Sequence, residues 1–180
     1  GFGSVDNWFT GVVVTDGSGS ARDSIYAQFS SEQMKEVRKL EQRKAAYIGE
    51  YSAIAMLDIP STCLKNPDDS SASGDIEALL RASRPETLYL HNLADKHPTH
   101  IAVAMSCLKA VRRLPRELRP ARVVGCEVWR DLDWMLDEDK VVFKLDEHDN
   151  ISEALISVFD SQLVVGKRYD LASTGRKRAN

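Results

Sequence analysis

Short apolar runs alternate with amphipathic stretches along most of the chain. The runs contain many β-branched residues, which is typical of strands that are buried on both faces of a sheet. They are GVVVT (11–15), AIAML (53–57), TLYLH (87–91), RVVGCEVW (122–129) and VVFKL (141–145). Because amphipathic stretches separate them, we predict an α/β fold, with a Rossmann-like, mostly parallel sheet, helices on both faces, and a single domain over residues 1–180.

Two helices have clear local signals. Ser30 and Gln33 form a capping box ahead of a long amphipathic stretch, and Gly49 stands where a C-terminal cap belongs. A second helix is predicted to begin at Pro98, because proline suits the first helical position, and His97 then becomes its N-cap.

Two other segments have weaker signals. IPSTCLKNPDDSSASGD (59–75) predicts a polar surface loop, after which Asp75 caps a short helix. NISEALISVFDSQL (150–163) predicts the last helix, capped by Asp149 or Asn150.

Composition narrows the class of protein. The 180 residues are 43% hydrophobic and 28% charged, with a net charge of −3, as in ordinary globular proteins. The chain has no basic stripe and no apolar run of the roughly 20 residues that span a bilayer, so we expect neither a nucleic-acid partner nor a membrane span. Three widely spaced cysteines fit reduced thiols, and we expect a cytoplasmic protein.

Histidine is concentrated in one place. Three of the four histidines, His91, His97 and His100, lie within ten residues of one another. His97 and His100 are three positions apart at a helix start, where imidazoles can bind a metal or stabilise an oxyanion. Ordinary helix capping explains the same pattern, and a lone HxxH motif does not complete a zinc site.

A family resemblance extends beyond this cluster. LHNLADKHPTHIAVA (90–104) resembles the second signature of the PIG-L/LmbE-like N-deacetylases, zinc hydrolases that remove acetyl groups from N-acetylated sugars. Other segments resemble that family in the same order along the chain. They are VVVTDGSGSAR (12–22), VRKLEQRKAAYIG (37–49), LLRASRPETLYLH (79–91) and FDSQLVVGKRYD (159–170).

The resemblance implies roles for three residues of the signature. His100 matches the zinc-ligand histidine, and His97 matches the histidine that stabilises the oxyanion or protonates the leaving amine. Asp95 is expected to orient the His97 imidazole and raise its pKa.

The resemblance also implies contacts with an N-acetylated sugar substrate. Arg38 matches an arginine that binds the sugar, although an exposed ion pair with Glu41 explains it equally well. Asp16 and Asp58 follow predicted strands, on the rim where α/β proteins bind ligands, and both can equally be loop caps. The Arg22 side chain is a candidate for closing over the site from its loop. The alternative is that Arg22 is an ordinary solvent-exposed arginine.

The sequence departs from the family in one respect. The family's first signature, His-Pro-Asp-Asp-x-Glu, is not found, so we expect the chain to begin after the family's first strand and helix. We therefore expect the full-length protein to be a zinc-dependent N-deacetylase. We expect this chain alone to have weak or no metal affinity and little activity, and either to associate with itself or to be fragile. In the alternative, His91, Asp95 or Asp16 supplies the other zinc ligands. Thr99 also replaces the family's usual Asp.

Two other functional classes stay open. GSGS (17–20) follows a strand and could hold the phosphate of a nucleotide, although it matches no complete phosphate-binding motif. The chain could also be a non-catalytic domain of the same fold that binds a sugar or a partner. EVWRDLDW (127–134) supplies two tryptophans that either stack on a sugar ring or are buried aromatics.

Overall fold

The structure is a computed structural model that describes residues 5–130, 132–144, 146–163 and 168–179. The chain divides into two compact units, one formed by Gly1–Asp58 with Val141–Asn180 and the other by Ile59–Lys140. Each unit is described by itself below, and the single domain expected from the sequence stays a prediction.

Strands and helices alternate as the apolar pattern predicts. The strands are β1 Thr10–Thr15, β2 Ala53–Ile59, β3 Thr87–His91 and β4 Arg122–Cys126. The helices are α1 Ser31–Ile48, α2 Ser61–Leu64, α3 Ser71–Ser83, α4 Pro98–Arg113, α5 Asp149–Ser157, α6 Asp160–Leu163 and α7 Tyr169–Ala179. None of the described helices is both long and apolar enough to cross a bilayer. The fold class is therefore α/β, as predicted.

In the first unit, β1 pairs with β2 and the long helix α1 connects them. The predicted capping box is confirmed, since the Ser30 side chain accepts from the Gln33 N–H while the Gln33 side chain accepts from the Ser30 N–H. Gly49 ends the helix, as expected. Met34 and Ala45 are buried, so this face of α1 forms part of the core of the unit.

In the second unit, β3 and β4 pair in parallel, from Thr87 opposite Arg122 to His91 opposite Cys126. The crossover between them contains α4, and α3 packs against α4. Apolar side chains of α3, of α4 and of the residue that ends α4 are nearly inaccessible to solvent. They include Ile76, Leu80, Ala104, Ala110 and Leu114. This packing fixes the end of β3 and the start of α4, which carry the clustered histidines.

The predicted loop over 59–75 is wrong, because α2 and the first turn of α3 lie within it. Asp75 consequently lies inside α3 and does not cap it. Ala72, Ile76 and Leu80 are buried at a spacing of four, so an apolar helix face is present among the serines. Asp69 accepts hydrogen bonds from the N–H and hydroxyl of Ser71 and stabilises the start of the helix.

The predicted strand VVFKL is also wrong over its described residues, 141–144, which are irregular. Val141 and Val142 are 59% and 72% exposed, and β propensity without a buried face does not make a strand. Residue 145 lies outside the described residues.

The predicted last helix is divided into α5 and α6 and is followed by α7. Asp149 is the first residue of α5 and Asn150 the second, so neither is its N-cap. In the resembling segment 159–170, residues 164–167 lie outside the described residues.

Candidate functional site

The start of α4 is built around His97. His97 has the extended conformation of an N-cap, Pro98 opens the helix, and both predictions are confirmed. The Nδ1 atom of His97 accepts a hydrogen bond of 3.2 Å from the Thr99 N–H. Because Nδ1 serves as an acceptor, a neutral His97 carries its proton on Nε2 and can donate it to another group.

Asp95 is the buried carboxylate of this turn, 5% exposed. Its Oδ1 accepts from the His97 backbone N–H at 2.7 Å, and its Oδ2 lies 2.9 Å from Nδ1 of His100. Burial would raise the pKa of Asp95, but the His97 N–H and the His100 ring lower it to below its ordinary value. Asp95 therefore orients the His100 imidazole, whereas the sequence assigned it to the His97 imidazole.

His91 ends β3 and faces the same turn. Its ring is stacked on that of His100, with centroids 4.1 Å apart and an angle of 1° between the planes. Burial, with the nearby His100, lowers the pKa of His91 and favours its neutral form. A neutral imidazole is the form that binds metals.

Three side chains of this turn have the chemistry of a metal site. His91, Asp95 and His100 each offer one ligand atom, and these atoms lie within 4.8 Å of one another. Two imidazole nitrogens and a carboxylate oxygen suit zinc, and three protein ligands leave a coordination position open, as in catalytic sites. The residues present therefore fit a divalent transition metal. His97 lies outside this set.

Trp129 forms a wall of the histidine cluster. Its indole is nearly parallel to the His97 ring at 6.3 Å and to the His100 ring at 6.4 Å between centroids. The buried carboxylate of Glu127 holds the turn, accepting from the Trp129 N–H at 2.8 Å and the Arg130 N–H at 2.6 Å. Sequence reasoning noticed this tryptophan but not its contact with the histidines, which depends on the pairing of β3 with β4.

The first unit contains a cavity of about 170 Å³ at the ends of β1 and β2. Its lining includes Asp16, Arg38 and Asp58, three of the residues predicted to bind substrate, together with Gly17. Arg22 is not part of the lining. Its guanidinium donates to the Ser18 carbonyl and the Ser31 hydroxyl.

Asp16 is a loop cap as well as a lining residue. Its carboxylate is buried, accepts from the N–H and hydroxyl of Ser18, and lies 3.2 Å from the Lys35 ammonium. Burial would raise the pKa of Asp16, but the Ser18 donors and Lys35 lower it to below its ordinary value. Asp58, at the end of β2, is half-exposed and pairs with Lys39 at 3.2 Å.

Arg38 belongs to a buried network in the same unit. Its Nη1 pairs with the Glu41 carboxylate and lies 3.3 Å from the Ser161 hydroxyl. Glu41 also accepts from the Ser161 N–H at 2.7 Å and from its hydroxyl at 2.9 Å. The predicted ion pair between Arg38 and Glu41 is therefore present. The sequence predicted an exposed pair, whereas the Glu41 carboxylate is buried. Ser161 was missed as its partner.

Gly17 determines the path of the Arg38 side chain. Its φ of +74° is in the left-handed region, and a Cβ at this position would lie 2.7 Å from Cγ of Arg38. The Asp-Gly pair that closes β1 therefore leaves the space through which the arginine reaches the cavity.

Known proteins resemble this chain in fold. N,N'-diacetylchitobiose deacetylase from Pyrococcus horikoshii, solved with its inhibitor MPG, has a TM-score of 0.69 at 16% identity, over 96% of this chain and 66% of that protein. The conserved protein TT1542 from Thermus thermophilus has a TM-score of 0.67 at 19% identity, over 96% of this chain and 74% of that protein. The chain thus spans slightly less than two thirds of the deacetylase. No curated protein sequence matches the chain.

The amino-acid sequence also matches a protein-family model. The family model of PIG-L, GlcNAc-PI de-N-acetylase, matches residues 6–111, which is more than half of the chain and includes β1, α1, β3 and the histidine cluster. This chain therefore belongs to the PIG-L family.

Proposed function

We propose that the protein containing this chain is a metal-dependent N-deacetylase that removes the acetyl group from an N-acetylated sugar or a related amide. One observation carries the proposal: His97 and His100 stand on the first turn of α4, and each ring is oriented by a separate hydrogen bond. The family description and the chitobiose deacetylase of similar fold name the same chemistry.

His97 is proposed to act on the reacting amide. With Nδ1 occupied by the Thr99 N–H, the Nε2–H of a neutral imidazole is the group that can donate to a developing oxyanion. To deliver the Nε2 proton to the departing amine instead, His97 would have to be protonated at Nδ1, which would break its hydrogen bond from the Thr99 N–H. The start of α4 adds the positive end of the helix dipole, which also stabilises negative charge there.

His100 is proposed to hold the metal, and zinc is the ion that this mixed nitrogen and oxygen donor set suits. In the chain without an ion, Asp95 orients the His100 ring through the hydrogen bond to its Nδ1. When bound, the ion supplies a Lewis acid that polarises the amide carbonyl.

Arg38 is proposed to contact the sugar, with Asp16 and Asp58 on the same cavity lining. A guanidinium has five N–H donors, so its pairing with Glu41 leaves N–H groups for sugar hydroxyls. Arg22 remains a proposed contact that would require its side chain to leave Ser18 and Ser31. Cytoplasmic location and self-association also stay predictions.

The loop after β1 argues against the nucleotide alternative. A phosphate held there would need the backbone N–H groups of GSGS, and the Ser18 N–H is already taken by Asp16 at 3.0 Å. The buried carboxylate also places negative charge where an anion would bind.

The test is acetate release from N-acetylglucosamine-containing substrates by the full-length protein, with and without a chelator. We expect His100→Gln to lose the activity and His97→Asn, which preserves an N-cap, to lower kcat at least about 100-fold. His148→Gln is the matched control, because His148 is an exposed histidine of the other unit. Chelator-resistant activity, or full activity in His97→Asn, would contradict the proposal.

A further inference from the structure

The histidine cluster contains a residue that the HPTH signature does not include. His91 precedes the signature by six positions, yet its ring lies against His100 at the end of β3. We propose that His91 and Asp95 join His100 as direct ligands of one divalent transition-metal ion. Residues 91–100 alone would then assemble a three-ligand site.

Two of the three ligand atoms lie close to the spacing that an ion needs. Tetrahedral zinc, with bonds of about 2.0–2.1 Å, sets its ligand atoms about 3.3 Å apart. Nδ1 of His100 and Oδ2 of Asp95 are 2.9 Å apart, joined by a hydrogen bond. An ion that replaces the shared proton needs this pair to open by only about 0.4 Å.

His91 requires a larger adjustment. The lone pairs of an imidazole lie in its ring plane, and the His91 and His100 planes are parallel within 1°, so the two rings as stacked do not point to one place. The three ligand atoms lie within 4.8 Å of one another, so binding would need a turn of the His91 side chain about its own bonds to bring its nitrogen to the ion. Binding would therefore break the stack.

The backbone that carries these side chains is well fixed. His91 pairs with Cys126 in the parallel ladder, and His100 lies in the first turn of α4. Asp95 is held by the His97 N–H, and its own N–H donates to the Asn92 carbonyl at 3.0 Å. Three ligands on a fixed turn leave a fourth position for water or substrate, as a hydrolytic site needs.

The sequence offered His91, Asp95 and Asp16 as alternative zinc ligands, and the geometry favours two of them. His91 and Asp95 belong to the cluster, whereas the carboxylate of Asp16 is bound to Ser18 and Lys35 in the other unit. The catalytic role of the ion rests on the proposed function. The test of the inference, however, measures metal binding in the absence of substrate.

The test is the zinc affinity of the metal-free chain, measured by competition with a chromophoric chelator. We expect one zinc per chain, weakened at least about tenfold in His91→Gln and in His100→Gln. His148→Gln and His97→Asn should bind within about threefold of the original chain, since neither residue belongs to the ligand set. A chain that binds no zinc, or a His91→Gln variant that binds as tightly as the original, would overturn the inference.

A second variant tests directly whether residue 91 binds the ion, and its readout is a new spectroscopic signal rather than a loss of affinity. His91→Cys places a thiolate at the same position, and its Co²⁺ complex should show a thiolate-to-cobalt charge-transfer band in the near ultraviolet. The original chain should bind Co²⁺ without that band, which controls for the exposed Cys126 opposite His91. A cobalt complex of His91→Cys with no such band would place the ion elsewhere.

The two proposals fail in different ways. Zinc binding that depends on His91, without any deacetylation, would leave the inference standing and overturn the proposed function. Chelator-sensitive deacetylation in a protein whose zinc affinity is unchanged by His91→Gln would support the proposed function and overturn the inference about His91.

Discussion

The buried carboxylate of Glu41 gives the most direct stability prediction. Glu41 is 3% exposed and satisfies three donors, namely the Arg38 guanidinium, the Ser161 N–H and the Ser161 hydroxyl. Glu41→Ala removes all three contacts at once. Ser161 is fully buried, so its N–H would be left without its acceptor in an environment that water does not reach.

The magnitude follows from the two parts of the network. Breaking a buried ion pair by removing one partner costs about 3–5 kcal/mol, and an unsatisfied buried donor costs about 1–3 kcal/mol. The Arg38 side chain remains 20% exposed and can regain some water, so the lower ends of both ranges apply, about 4 kcal/mol in total. For a chain of this size, that loss lowers the Tm by roughly 8–16 °C.

Two other variants separate charge from hydrogen bonding. Glu41→Gln keeps an acceptor for the Ser161 N–H but loses the charged contact with Arg38, so we expect a loss of about 2 kcal/mol. Glu36→Ala is the matched control, because Glu36 is on the same helix and its side chain is 73% exposed beside Lys39. We expect no measurable change there.

The assay is urea unfolding followed by far-ultraviolet circular dichroism and by fluorescence, with free energies compared where both transitions coincide. We expect the order Glu36→Ala, Glu41→Gln, Glu41→Ala in increasing loss. A Glu41→Ala variant as stable as Glu36→Ala would refute the reasoning, since it would show that the network contributes nothing to the folded state.

Two further predictions concern a glycine and the thiols. Gly17→Ala should cost about 1–2 kcal/mol, because φ is +74° and the new Cβ meets an arginine side chain, whereas Gly19→Ala, with open space at its Cβ, should be neutral in the same unfolding assay. Burial raises the pKa of Cys107 to about 11, so at pH 8 only about one thiol in a thousand is ionised. A disulfide reagent at pH 8 should therefore label the exposed Cys126 and the half-buried Cys63 in the folded chain, and Cys107 only after unfolding; rapid labelling of Cys107 in the folded chain would contradict its burial.

Local signals predicted the elements that carry the candidate site. The capping box at Ser30 and the proline after His97 involve neighbours within three positions, so the sequence alone contains both partners of each contact. The same holds for β3, whose predicted bounds match the structure. The start of α3 was missed, and its cap was placed at Asp75, because the serines gave a polar average that concealed the apolar positions.

Side-chain partners were harder to predict than elements. Asp95 is two positions from His97 and five from His100, and the sequence favoured the nearer ring. The turn instead directs one carboxylate oxygen to the His97 backbone and the other to the His100 ring. Ser161 is 120 residues from Glu41, so no local pattern could pair them. Such contacts depend on how distant segments pack in the folded chain, and the spacing of residues along the sequence does not contain that information.

The position of Arg38 changes how its variants must be interpreted. The sequence offered a sugar contact or an ion pair with Glu41 as alternatives, yet Arg38 both lines the cavity and belongs to the buried network. Loss of activity in an Arg38 variant would therefore report on folding as well as on substrate binding. Glu41→Gln supplies the calibration, because it weakens the same network while leaving the guanidinium in place. A substrate role for Arg38 requires that Arg38→Gln raise KM more than Glu41→Gln does at equal loss of stability.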